Sequence, residues 1–327
     1  MRVYRTAAAA PAHPRVVALG TFDGVHVGHQ AVIGRAVARA REEGLASAVV
    51  TFDRHPLSVV DPGRTPRLLT PLEEKLGLIA TLGPDEAVVL PFDAALASLP
   101  AEAFCRDLLH SRLRARAVVV GENFRFGAGG AGDPEALRRW GEELGLAVEV
   151  VPLVNHGGQP ISSSRIRRLL ARGALEEVRA ILGRPPAAEG VVVGGDRRGR
   201  RLGVPTANVD VEAHRVFPGR GVYLAAARVG ADWFRAAVNV GRAPTFRAAD
   251  DEAAHLLVEA HLLGFSGDLY GRRLRLEFLH KLRDEQRFDD VDGLLAQLRR
   301  DLRAAAALDD PVLREHGLPP RGDAGEG

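Results

Sequence analysis

Cysteine is nearly absent from this 327-residue chain, where Cys105 stands alone. An internal disulfide is excluded, and so is a zinc or iron–sulfur site built on several thiolates. Such usage suits a reducing cytoplasm. Lysine is almost as scarce: Lys75 and Lys281 are the only two among 44 cationic residues. No Gly-Lys-Ser or Gly-Lys-Thr occurs, which rules out a Walker A loop. Charge of one sign is also missing, since the net value is +2 at pH 7, so no strong field for nucleic acid or an anionic membrane is expected. No apolar run is long enough to span a bilayer. The first fourteen residues lack the Leu, Ile and Val core of a signal peptide, and a cytoplasmic protein is expected. The remaining composition, 46% hydrophobic and 26% charged, describes a globular chain long enough for about two domains.

The most informative stretch comes directly after the apolar run Val16-Val17-Ala18-Leu19. It reads Gly20-Thr21-Phe22-Asp23-Gly24-Val25-His26-Val27-Gly28-His29-Gln30, and the pattern becomes helical from about His29. A strand, a tight loop and a helix start are predicted. The first amides of a helix lack an intrahelical acceptor and its dipole favours negative charge, so its mouth is a natural phosphate site. His26 and His29 add charge-assisted donors there, and Gly28 lets the backbone approach a bound group. Taken alone, the stretch also reads as a surface loop holding two histidines. The whole string resembles the G-x-F-D-G-x-H-x-G-H signature of the nucleotidyltransferase superfamily, in the form found in bacterial bifunctional riboflavin kinase/FAD synthetases. That resemblance implies nucleotide contacts at Gly20, Phe22, Asp23 and Gly28, with His26 and His29 steadying charge on a leaving pyrophosphate.

The rest of the first half reads as a Rossmann-like α/β domain. A helix over 30–43 closed by Gly44 joins the first strand to a buried strand over 45–52, and that order implies a parallel sheet with a right-handed crossover. Helices over 72–82 and 100–112 and strands over 86–90, 116–120 and 146–150 continue the pattern. His55, at the carboxyl end of a strand, either joins a ligand crevice or packs on Pro56. The glycines from Gly127 to Gly132 match G-x-G-x-x-G by spacing but lie beyond the strand's turn, just before Asp133 and Pro134 start a new helix. They read as a flexible loop closing over a ligand. By resemblance to the G-x-N/D-F-x-F-G loop of the synthetases, Asn123 contacts nucleotide or flavin. Ser162, Ser163 and Ser164, with Arg165 and Arg167 directly after them, offer hydroxyl caps and cations for a triphosphate, or simply a capped surface helix. They are similar to the family's I-S-S-x-x-I-R motif, which makes these five residues nucleotide contacts.

Arg184-Pro185-Pro186 cannot continue a helix, and the domain boundary is placed there: one domain over 1–184, a second over 185–310, and a disordered tail over 311–327. Strand-like segments over 191–193, 221–229, 234–240, 256–263 and 274–279, without helices between them, imply an antiparallel sheet closed as a small barrel. An amphipathic helix over 291–306 comes next. Thr206 and Asn208 flank Ala207, so an extended backbone puts both on one face, where two neutral oxygens suit Mg²⁺ shared with ATP phosphates. The string over 199–208 looks like the riboflavin kinase signature G-R-x-L-G-x-P-T-A-N, which implies that Gly203, Thr206 and Asn208 hold Mg-ATP. Glu259, in an apolar strand, faces either solvent or a site. Its string is similar to the family's V-E-x-H-L-L, which makes it the general base. Strings over 239–246, 268–271 and 282–288 also match the kinase module, the last bordering the flavin. Two positions depart from the family: Gly264 replaces Asp in L-D-F, and Ala243 interrupts R-P-T.

The resemblance thus implies a transferase that converts riboflavin and ATP to FMN, then FMN and ATP to FAD and pyrophosphate. Its expected partners are these small molecules, without nucleic acid or membrane, and its oligomeric state is left open. The alternatives are a riboflavin kinase with an inactive adenylyltransferase domain, or a flavin- or RNA-binding regulator suggested by the arginines over 197–201 and 112–116.

Overall fold

Val16 and Ala18 point to one side of their strand and Val17 and Leu19 to the other, and all four are buried. A strand apolar on both sides needs cover on both, which a parallel sheet obtains from helices on each face. The computed structural model, which describes residues 1–194, 204–212, 214–242 and 256–320, has that arrangement. Strands β1 (Arg2–Tyr4), β2 (Arg15–Leu19), β3 (Ala46–Phe52), β4 (Glu86–Leu90), β5 (Ala115–Gly121) and β6 (Ala147–Val151) form one parallel sheet in the order β1-β4-β3-β2-β5-β6. The helix Val27–Glu43 lays Val32, Ile33, Ala36, Val37 and Ala40 on the Val16, Ala18, Val49 and Val119 face. Phe104, Leu109, Leu113 and Leu137 cover the opposite face. Successive strands run outward from β2 through β3 to β4, and the chain then returns to place β5 on the other side of β2. The topological switch point, where open α/β sheets bind ligands, therefore lies between the carboxyl ends of β2 and β5.

Three local expectations are corrected. The helix begins at Val27, because His26 caps it. The segment Phe104–Arg112 is a π-helix, an i→i+5 form that apolar spacing does not separate from an α-helix. The glycine-rich loop is fastened: Phe126 and Gly132 pair as a bridge, the Ala128 amide donates to the Leu99 carbonyl at 2.8 Å, and a side chain at Gly127 would meet the Ala101 backbone at 2.6 Å.

The chain divides into two compact units, Met1–Ser163 and Ser164–Gly327. This division precedes the boundary read at Arg184, because the helices Ser163–Arg172 and Leu175–Leu182 pack with residues of the second unit. A side chain at Gly219 would strike the Ala171 carbonyl at 2.1 Å, and one at Gly173 would meet Lys281 at 2.7 Å. After a short hairpin in the first unit, β7 (Asn155–His156) and β8 (Gln159–Pro160), the second unit holds β9 (Ala187–Val193), β10 (Ala207–Val211), β11 (Gly221–Val229), β12 (Asp232–Arg242), β13 (Leu256–Leu262) and β14 (Arg273–Arg283). These close into an antiparallel barrel in the order β10-β13-β12-β11-β14-β9, and the helix Val291–Ala307 comes after it.

The disordered tail is a further correction as far as residue 320. A helix at Pro311–Glu315 buries Leu313 and packs it with Leu224 and Leu279. The Asp310 carboxylate caps it through the Val312 amide at 2.8 Å and receives Arg179 at 2.7 Å and His280 at 2.8 Å. Arg235 on β12 completes the clasp. Its guanidinium donates to the carbonyls of Ala305, Leu308, Leu318 and Pro319 at 2.8 to 3.1 Å. Polar composition hid this segment because the arginine that orders it is remote in sequence. Arg235→Met is expected to strand these carbonyls and destabilise the second unit by about 2 to 3 kcal/mol, read as a lower midpoint in thermal unfolding. Residues 321–327 lie outside the described residues.

Candidate active sites

The turn between β2 and the helix Val27–Glu43 is held in a conformation that its residues disfavour. Phe22 has φ 53° and Val25 φ 41°, the left-handed region that a bulky or β-branched side chain rarely enters. Such strain persists only where the surroundings over-determine it. Here the Asp23 carboxylate accepts from the Leu69 amide at 3.0 Å and the Thr70 amide at 3.0 Å. The Gly24 amide donates to the Thr70 hydroxyl at 3.0 Å, Gln30 Nε2 to the Val25 carbonyl at 2.9 Å, and Ser163 Oγ to the Asp23 carbonyl at 2.9 Å. Asp23 is buried and serves these amides, so its structural place is that of a fastener for the turn. Gly20 is needed because the Phe22 ring folds back on it: an added Cβ would lie 2.9 Å from that ring.

The two histidines meet at the helix mouth. His26 Nδ1 accepts the His29 amide at 3.3 Å, and the two rings stack with centroids 3.5 Å apart. The His29 ring also meets Phe22 edge-on at 5.3 Å. With the third helical amide capped by His26, the amides of Val27 and Gly28 are the first-turn donors left for an anion. His29 Nδ1 is buried without a hydrogen-bond partner among the described residues. Burial, then the neighbouring His26 and Lys75, push the His29 pKa well below 6.5. At neutral pH His29 is therefore uncharged.

The same shift has a consequence for stability. As pH falls below about 6.5 the unfolded chain takes up a proton at His29 that the folded chain refuses, so unfolding becomes easier on the acid side. Denaturant unfolding of the first unit is expected to lose stability between about pH 7 and pH 5, and less steeply in His29→Gln.

Asn123, Ser162 and His55 share a unit with this turn. Asn123 is exposed beyond the end of β5, across the switch point, where a side chain at Gly121 would meet its Oδ1 at 3.6 Å and Val32 at 4.0 Å. Ser162 is half-buried. Ser164, Arg165 and Arg167 belong to the second unit; Arg165 is buried, 3.9 Å from the Glu177 carboxylate. His55 Nδ1 accepts the Leu57 amide at 3.2 Å and so caps the short helix after it. One residue near the turn was not singled out from sequence. Lys75, buried in the helix Leu72–Ala80, donates to the Phe52 carbonyl at 2.9 Å, Thr51 Oγ1 at 3.1 Å and the Thr21 carbonyl at 3.2 Å.

In the barrel, three neighbouring strands line up a polar row. Glu259 on β13 pairs in register with Asn208 on β10 and with Asn239 on β12, so the three side chains share one face. Asn239 Nδ2 donates to Glu259 Oε2 at 3.4 Å. Thr206 directly precedes β10, and the adjacent Pro205 carbonyl accepts from His261 Nδ1 at 2.7 Å. Asn239 was legible only as part of a matching string; its contact with Glu259 depends on strand register. Gly203, the arginines over 197–201 and Ala243 to Phe246 lie outside the described residues. The departure at Gly264 is absorbed locally, since φ is 76° there, a conformation that glycine adopts freely.

A parallel sheet with a strained, histidine-bearing turn at its switch point, joined in one chain to an antiparallel barrel bearing an Asn–Glu–Asn row, defines a two-module transferase. The FAD synthetase family model matches residues 9–165 and the riboflavin kinase family model residues 182–308. The chain belongs to the bifunctional riboflavin kinase/FMN adenylyltransferase family. The protein so named in Escherichia coli (strain K12) is 38% identical over 293 residues, covering 89% of this chain and 92% of that one. For that of Pseudomonas fluorescens the identity is 38% over 302 residues, covering 92% and 95%, and for that of Bacillus subtilis (strain 168) it is 35% over 293, covering 89% and 91%. A solved structure described as a macrolide-efflux protein from Streptococcus pneumoniae matches with a TM-score of 0.84 at 29% identity, covering 94% of this chain and 99% of that one. That description belongs to the pneumococcal chain. No helix among the described residues here is long and apolar enough to cross a membrane.

Proposed function

We propose that this chain makes FAD from riboflavin in two ATP-dependent steps, with riboflavin phosphorylated in residues 185–310 and FMN adenylylated in residues 1–184. The observation that carries the reading is the coincidence of two family matches with two separate polar constellations, one on each fold. Both reactions are displacements at phosphorus, so positioning and charge stabilisation can supply the catalysis without a covalent enzyme intermediate. In the barrel, Glu259 takes the proton of the ribityl hydroxyl as its oxygen attacks the γ-phosphorus of ATP and ADP departs. Asn239 orients the carboxylate. Magnesium fits Thr206 and Asn208, because two neutral oxygens leave the remaining positions to ATP phosphates and water. Bound there, the ion would neutralise phosphate charge.

In the first unit an FMN phosphate oxygen attacks the α-phosphorus of ATP and the bond to pyrophosphate breaks. The Val27 and Gly28 amides with His26 and His29 take up the charge that develops on the leaving group. Gly20, Phe22 and Asp23 shape the turn. Asn123, on the far side of the switch point, faces the nucleotide or flavin, and Ser162 to Ser164 with Arg165 and Arg167 serve the triphosphate. Gly203 joins the Mg-ATP loop of the barrel. The balance of charge and the small-molecule substrates fit a cytoplasmic enzyme acting without nucleic acid or membrane. Incubation of the purified protein with riboflavin and Mg-ATP, with flavins separated over time, tests the proposal. FMN and then FAD are expected; FMN alone would mean an inactive adenylyltransferase domain, and neither product would overturn both activities.

A further inference from the structure

Forty-two of the 44 cationic residues are arginine, so a lysine in a buried position calls for a chemical reason. Lys75 supplies one. Three oxygens surround its ammonium: the Phe52 carbonyl, Thr51 Oγ1 and the Thr21 carbonyl, at 2.9, 3.1 and 3.2 Å. A compact –NH₃⁺ has three donors to match them, whereas the planar fork of arginine is built for coplanar acceptors. The three oxygens come from two different places. Phe52 and Thr51 end β3, while Thr21 begins the strained turn that leads to His26. Thr51 Oγ1 reinforces the link by donating to the same Thr21 carbonyl at 3.0 Å. Lys75 therefore pins one end of the turn, and Asp23 pins its middle to Leu69 and Thr70, just ahead of the helix that carries Lys75.

We propose that Lys75 is a positioning residue for adenylyl transfer: its ammonium clamps the strained turn over 21–25 to the end of β3 and thereby fixes the stacked His26–His29 pair against the departing pyrophosphate. The proposal rests on reading the first unit as the adenylylation module. A side chain outside the reacting atoms can matter this much because misplacing a catalytic group by about 1 Å costs about a hundredfold in rate. The groups facing Lys75 are the carboxylates of Asp23 and Asp53 and the imidazole of His29, and those facing His29 are His26 and Lys75. Burial lowers the Lys75 pKa to about 8, with Asp23 and Asp53 opposing. Above that pH the neutral amine keeps two N–H donors for three acceptors, and the clamp weakens.

The test uses the full chain and measures FAD formation from supplied FMN and Mg-ATP as a function of pH. The wild type is expected to show an alkaline limb with a midpoint near pH 8. Lys75→Met is expected to lower kcat at pH 7 by about 10- to 100-fold with KM for ATP and FMN changed less than about threefold, and to lose the alkaline limb. It should also raise the titration midpoint of the His29 imidazole, measured by NMR, since a positive neighbour is removed. An unchanged kcat with an unchanged His29 titration would overturn the proposal, as would an alkaline limb that survives in Lys75→Met. Should that variant fail to fold, the wild-type profile decides: a rate flat from about pH 7 to 9.5 is incompatible with the clamp. A wild type that makes no FAD at all would instead reject the adenylylation reading itself.

Discussion

Replacing His29 with alanine is expected to lower FAD formation from FMN by about 10²- to 10³-fold, the usual cost of deleting one preorganised donor to developing charge. Its rate of FMN formation from riboflavin should stay within about twofold of wild type, because the residues assigned to that step lie in the barrel. The reason is placement. The His29 ring is wedged between the edge of Phe22 and the face of His26, with Nδ1 buried and unpartnered among the described residues. In its neutral form His29 loses little in the empty enzyme, and proton uptake on binding a polyanion would give it charge where charge develops. Pyrophosphate affinity is accordingly expected to rise as pH falls towards 6 in the wild type, and to rise less in His29→Ala, measured by calorimetry. Equal loss of both activities in a folded variant would contradict the division of labour between the two modules.

The sequence carried the parallel character of the first sheet, because β2 to β6 read as apolar runs alternating with helices, which implies right-handed crossovers. The barrel was legible from a different sign, strands without intervening helices. The features that escaped share one property: they depend on partners far away in the chain. β1 is three residues long and is defined by its pairing with β4. The helix at Pro311–Glu315 sits in polar, proline-containing sequence and is ordered by Arg235 and Arg179, which are remote from it. The glycine run after β5 reads as loose, yet Gly127 is pressed on Ala101. Composition and period report what a segment can do alone; they do not report what is pressed against it.

The sites show the same division. The signature turn, the histidines, Thr206, Asn208 and Glu259 stand out in sequence because their strings resemble the family's motifs, while each residue taken alone leaves its role open. Lys75 does not, because Glu73-Glu74-Lys75 reads as a solvated helix face, while the fold turns that lysine inward beneath the carboxyl end of β3. The signature makes Asp23 a nucleotide contact, and the fold adds that its carboxylate accepts from the amides of Leu69 and Thr70. Resemblance supplies residue identities, and the hydrogen bonds add which groups hold the turn in place.

Glu259→Gln is expected to lower FMN formation by about 10²- to 10⁴-fold, the range that general-base help supplies. FAD formation from supplied FMN should be unchanged within about twofold. The substitution is chosen because it removes the base while preserving the row around it. A glutamine keeps the length of the side chain, and its carbonyl oxygen can still accept from Asn239 Nδ2, which donates to Glu259 Oε2 at 3.4 Å. Register with Asn208 and Asn239 is set by the backbones of β10, β12 and β13, so the barrel has no reason to shift. A loss confined to kcat, with KM for riboflavin and ATP little affected, would place Glu259 at the proton. A loss expressed mainly as a higher magnesium requirement would instead join it to Thr206 and Asn208 in the group proposed to hold the metal. If the variant phosphorylates riboflavin at the wild-type rate, the Asn–Glu–Asn row is a structural ladder and the base must be sought elsewhere.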